Sequence, residues 1–179
     1  HAYWSFGFFG AGIIGAGFSQ FGISPFLHFV AITFFISIIT NLLFLDYIAA
    51  KPRRQSLPPQ KKVFVWPSKS IFFLVLFSLS AMLVEGASID WSVIFMRDIF
   101  NTVPLISGLS LALAAIAQGF VRYFADQFVD QYGPEKVSFY SLIAMVLGVA
   151  FVVFSPNPVI ALLGFLLMGG GSAVIFPLA

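Results

Sequence analysis

The first 45 residues contain no Lys, Arg, Asp or Glu. A helix needs about 20 residues to cross the hydrocarbon core of a bilayer, so this run is long enough for two spans. The break between them falls at Gly22-Ile23-Ser24-Pro25, where the proline can open a helix at its first turn and the residue before it is pushed out of the helical region. The reading is one helix over 3–21 and a second over 25–45. Of the 179 residues, 60% are hydrophobic and 9% charged, with a mean hydropathy of +1.01. An ordinary soluble domain is roughly a quarter charged. A chain of this size cannot hide so much apolar surface by folding on itself, so its solvent is lipid.

Charge is confined to a few places. Residues 46–69 hold Lys51, Arg53, Arg54, Lys61, Lys62 and Lys69, six of the nine basic residues, together with four prolines, and read as a solvated linker. A third helix is expected over 70–90 and a fourth within the uncharged run 99–121, starting after Pro104. A second polar loop is expected over 122–136, a fifth helix over 137–154, and a sixth from 158 to the end, the last two split by Ser155-Pro156-Asn157-Pro158. Six spans put 46–69 and 122–136 on one side of the membrane, with eight of the nine basic residues, and the positive-inside bias makes that side the cytoplasm. The basic pI of about 9.1 therefore reflects topology and not a nucleic-acid partner. Without cysteine there are no disulfides, thiolate metal sites or cysteine nucleophiles. The opening at His1, with no charged leader region, reads as the interior of a longer protein.

Small residues mark packing. Gly7, Gly10, Gly12, Gly15 and Gly17 crowd the first helix, and Gly108, Ala112, Ala115 and Gly119 form a stripe along the fourth. Such stripes let helix backbones approach closely in a membrane. Gly169-Gly170-Gly171, followed by Pro177, suggests a bent or loosened sixth helix, or again close packing.

Glu85 lies about fifteen residues into the third helix, roughly 22 Å from its start. An ionisable group at that depth costs on the order of 3 kcal/mol unless it faces a cavity or a partner, which makes it a functional candidate or a structural carboxyl bonded to a neighbouring helix. Ser78 and Ser92 stand seven residues to either side of it, and Ser88 shares the stripe. Asp90 is about 140° round the helix and does not pair with it. Gln118 could line a pathway, and His28, in the first turn of the second helix, could respond to pH on the outer side. No metal-ligand spacing is present. An intramembrane protease would need a serine and a histidine in paired helices, and Gly171-Ser172 lacks the glycine that such a motif requires, so no enzyme is expected.

The stretch from Arg122 to Val137, RYFADQFVDQYGPEKV, resembles the signature loop of the major facilitator superfamily, with Arg122, Asp126, Gly133 and Lys136 matching and Gln127 and Pro134-Glu135 standing where basic residues are usual. Residues 85–100 look like the end of the seventh helix in a bacterial branch near the sugar permeases, and 46–69 looks like the central linker. The resemblance implies an all-α membrane protein with about six transmembrane helices, part of a twelve-helix fold. Residues 1–45 would be the last two helices of the N-terminal half and 70–179 the first four of the C-terminal half.

It further implies a secondary active transporter of the inner membrane, a proton-coupled symporter for a small solute such as a sugar or metabolite, monomeric and without cofactor. Glu85 would couple protons or touch substrate, and Ser78, Ser88, Gln118 and His28 would line the pathway. The 122–136 loop would act as a conformational switch in which Asp126 bonds Arg122 or a helix terminus. Efflux of drugs or metabolites by the same fold, or a scaffold that transports nothing, are the alternatives.

Overall fold

The computed structural model describes residues 2–48 and 68–175, and it is helical nearly throughout. Six helices follow in order: α1 (Ala2–Gln20), α2 (Pro25–Ile48), α3 (Lys69–Phe100), α4 (Pro104–Tyr132), α5 (Pro134–Val153) and α6 (Pro158–Ser172). Four open on a proline, whose fixed φ suits the first turn and whose missing N–H would have had no partner there. Ser24, Ser68 and Asn157 accept hydrogen bonds from the backbone N–H of Leu27, Ile71 and Ile160, the usual satisfaction of a helix start. Gly22 and Gly133 have positive φ, and Gly133 alone turns the chain from α4 into α5.

Two connections expected from the charges are helix instead. Residues 91–100 continue α3, so its link to α4 shrinks to 101–103, closed by Asn101 in the left-handed conformation. Residues 122–132 continue α4, so the polar loop over 122–136 reduces to Gly133 and the ends of two helices. A charged residue does not by itself end a helix. Nothing between Arg122 and Tyr132 is a glycine or proline, and at 32 residues α3 is about 48 Å long against a core of about 30 Å. The basic linker lies almost wholly outside the described residues.

Four helices, α2 to α5, are long and apolar enough to cross a membrane by length and composition, and α6 is a shorter apolar helix. The bundle is inside-out by the standard of a soluble protein. Phenylalanine, leucine and isoleucine dominate its exposed surface, whereas Ser5, Ser88, Ser92, Ser107, Ser110 and Ser172 are buried, the pattern of helices that pack against one another in lipid.

Helix α4 is central. Its small-residue stripe faces α1: a Cβ on Gly108 would collide with Ala16, Gly12 lies on Ala112, and a Cβ on Gly119 would come 2.8 Å from the Phe6 ring. Helix α6 meets α4 where Gly169 abuts the Ala114 carbonyl, and meets α5 through Gly148 and Gly164. It stays α-helical through its three glycines, of which Gly169 and Gly171 serve close approach. Met96, Ala114, Ala161, Phe165 and Met168 form the main apolar core between α3, α4 and α6.

Candidate functional site

Glu85 stands about halfway along α3, roughly 24 Å from Lys69 and 22 Å from Phe100 at the helical rise. Facing it from α4 is Arg122, whose Nη2 donates to Glu85 Oε2 at 3.4 Å. The Arg122 side chain is 9% exposed and that of Glu85 22%. Arg122 reaches two further helices. Its Nη1 donates to Ser5 Oγ on α1 at 3.2 Å, and its Nε to the Ala173 carbonyl at the end of α6 at 3.1 Å.

One turn earlier on the same face of α4, Gln118 completes the network. Ser5 Oγ donates to Gln118 Oε1 at 3.0 Å, Gln118 Nε2 donates to Ser172 Oγ at 3.4 Å, and Ser172 Oγ donates to the Gly169 carbonyl at 3.1 Å. Four helices are thus held by one guanidinium and one amide. Both charges of the pair are compensated, and that is what makes them tolerable at this depth, since removing one partner would strand the other.

The chain supplies the pieces for local reasons. The Ala173 carbonyl is available to Arg122 because the residue four positions on is Pro177, which has no N–H to bond it. The carbonyl end of a helix also carries partial negative charge, which suits a guanidinium. Ser5 can meet both Gln118 and Arg122 because the contact of α1 with α4 at Gly108 and Ala112 brings the two backbones close.

Beside the pair lies a cavity of about 20 Å³ bordered by Glu85, Ser88, Gln118, Ser172 and the apolar Phe8, Ile89 and Leu111. A larger space of about 810 Å³ opens between α1, α2, α3 and α4 near Thr102, with His28 and Arg97 in its wall.

Of the residues singled out by sequence, Glu85, Gln118 and Arg122 come together and Ser88 lines their cavity while bonding the Val84 carbonyl. His28 is elsewhere, packed on Phe18 and Phe29 with ring centroids at 4.8 and 5.7 Å. Ser78 lies two turns from Glu85, away from the cavity. Arg122 was expected in a loop with Asp126, but it lies inside α4 and its carboxyl partner is Glu85. Asp126 and Lys136 are exposed, and Gly133 is the turn. Ser5 and Ser172 were not expected in the site. The signal for Ser5 is a lone hydroxyl near the start of a glycine-rich apolar helix, and for Ala173 the proline four residues later. Ser92 Oγ is the one buried side-chain polar atom without a partner among the described residues.

Two curated proteins resemble the chain. An uncharacterized MFS-type transporter of Yersinia pestis is 26% identical over 171 residues, 93% of this chain and 44% of the relative. MFS denotes the major facilitator superfamily. By these matches the chain is similar to transporters of the major facilitator superfamily. An uncharacterized transporter of Sinorhizobium fredii is 30% identical over 115 residues, 64% of this chain and 30% of that protein. The chain therefore spans less than half the length of the curated relatives it matches. No family model and no solved structure matches it significantly. Its apolar helices and its likeness to these transporters support a multi-pass membrane protein.

Proposed function

We propose that the protein is a secondary active transporter which moves a small solute by alternating access, coupled to protons through Glu85. The observation that carries this reading is the Arg122–Glu85 pair at mid-depth, tied through Ser5, Gln118 and Ala173 to α1 and α6. A buried pair of charges is costly to keep and is often no more stabilising than apolar packing, so its presence at the meeting of four helices points to use. If residues 1–45 and 70–179 belong to the two halves, α1 on α4 is the seam along which the halves rock, and the network crosses that seam. Asp126, Gly133 and Lys136 would adjust the inner ends of α4 and α5, an effect on conformational balance.

The coupling follows from charge. With Glu85 ionised the site is neutral through Arg122. A proton on Glu85 frees the guanidinium and leaves one uncompensated positive charge, which resists crossing until a ligand balances it. Glu85→Gln imitates the protonated carboxyl permanently. In the full-length protein reconstituted into vesicles, the variant is expected to lose accumulation driven by a pH gradient by at least about tenfold, the equivalent of 1.4 kcal/mol, while keeping solute exchange. A variant that accumulates solute like the parent would make Glu85 structural.

A further inference from the structure

Arg122 uses only three of its five N–H groups, on Glu85, Ser5 and Ala173. Its bond to Glu85 is single and 3.4 Å long, whereas a guanidinium and a carboxylate that face each other squarely form two shorter parallel bonds. Glu85 Oε1 accepts no hydrogen bond from the described residues, and it belongs to a side chain that keeps 22% of its surface open beside the small cavity. At about 20 Å³ the cavity has room for about one water and none for a solute. The pair is loosely made, half-satisfied and next to a small space.

The walls of that space are of two kinds. Gln118, Ser88 and Ser172 border it together with the apolar Phe8, Ile89 and Leu111. A sugar needs hydrogen-bond partners all round, and much of this lining offers none. An amphiphile with one anionic head would find a partner for each part.

We propose that the transported solute is a small carboxylate with an apolar body, and that its head group replaces Glu85 on the Arg122 guanidinium when Glu85 takes up a proton. This rests on the transporter reading above. In the empty site Arg122 is positive and Glu85 negative, for a net charge of zero. In the loaded site the proton sits on a Glu85 oxygen, the solute carboxylate accepts from Arg122, and the net charge is again zero. The half-loaded forms carry one uncompensated charge, positive with the proton alone and negative with the anion alone, which costs several kcal/mol at this depth. One proton therefore travels with one anion. No other acid or base among the described residues faces the pair. Helices α1 and α6 contribute only Ser5 and Ser172 with apolar neighbours, α5 contributes nothing charged there, Asp126 is exposed one turn further along α4, and Asp90 is round the far side of α3.

The test uses the full-length purified protein with benzoate and its neutral counterpart benzamide, read as thermal unfolding with and without each compound. Benzoate is expected to raise Tm by about 3 °C at about pH 5.5 and far less at about pH 8, while benzamide does nothing. Glu85→Gln should respond to benzoate equally at both pH values. Arg122→Gln alone would leave Glu85 unpaired and could misfold, so the paired variant Glu85→Gln with Arg122→Gln is used, and it should respond to neither compound. An equal effect of benzamide, a benzoate response that survives in the paired variant, or no benzoate effect on the parent at either pH would overturn the assignment. If glucose stabilises the parent and benzoate does not, this inference fails and proton-coupled transport stands. If benzoate binds as expected but vesicles accumulate nothing under a pH gradient, the transport reading fails and the binding site stands.

Discussion

Arg122 and Glu85 are each unfavourable alone and acceptable together, and this asymmetry is measurable. Replacing Arg122 with glutamine strands a carboxylate beside Phe8 and Leu111, and the expected loss is about 3–5 kcal/mol, the cost of an unpaired buried charge. Replacing both residues with glutamine removes the stranded charge, so thermal unfolding of the full-length protein should show most of that loss recovered. A paired variant as unstable as Arg122→Gln would mean that the two side chains do not compensate each other. At this scale the sequence was half legible. Glu85 stood out because it is an acid well inside an apolar span. Its partner did not, because Arg122 is 37 residues away on another helix, beside a polar stretch that drew it toward a loop.

Among the helices, neighbouring glycines of α6 are expected to behave differently. A Cβ on Gly169 would run into the Ala114 carbonyl of α4, which is backbone and cannot step aside, whereas a Cβ on Gly170 would meet Val121 and Ala117 at 3.7 and 3.9 Å, ordinary contact distances. Gly169→Ala should therefore lower stability by on the order of 1–3 kcal/mol, as overpacking does. Gly170→Ala should be neutral or stabilising by about 0.5–1 kcal/mol through reduced chain freedom. Detergent-solubilised Tm values compare the two directly, and equal losses would show that α6 does not approach α4 this closely. The existence and order of all six helices could be read from charge-free runs and from the prolines that open them. Their ends could not, since α3 and α4 extend about ten residues past the last residue assigned to lipid.

At the scale of the whole molecule, the alternation of the helices sets Gly133 and Val103 at opposite ends of α4. These residues hold no cysteine, so a single substitution among them reports on sidedness once any cysteine elsewhere in the full-length protein is replaced. With basic segments inside, Ser56→Cys and Gln131→Cys in the full-length protein should react with an impermeant thiol reagent only after cells are opened, and Val103→Cys, exposed before α4, should react in intact cells. Labelling of Ser56→Cys from outside would invert the orientation.

The sequence by itself determined that the chain lives in lipid, that six helices run through the described residues and where five of them start to within a residue, because hydropathy and proline act over a few neighbouring residues, whereas the fifth helix, expected from 137, opens at Pro134. It also singled out Glu85, since the depth of an acid within an apolar span can be counted along the chain. Only the tertiary structure decided which groups compensate its charge. Ser5, Gln118, Arg122 and Ala173 come from three helices, and their meeting depends on how closely Gly12, Gly108 and Gly169 let those helices pack. Hydrogen bonds between helices depend on separations of a few tenths of an ångström, and those separations are set by the packing of whole faces.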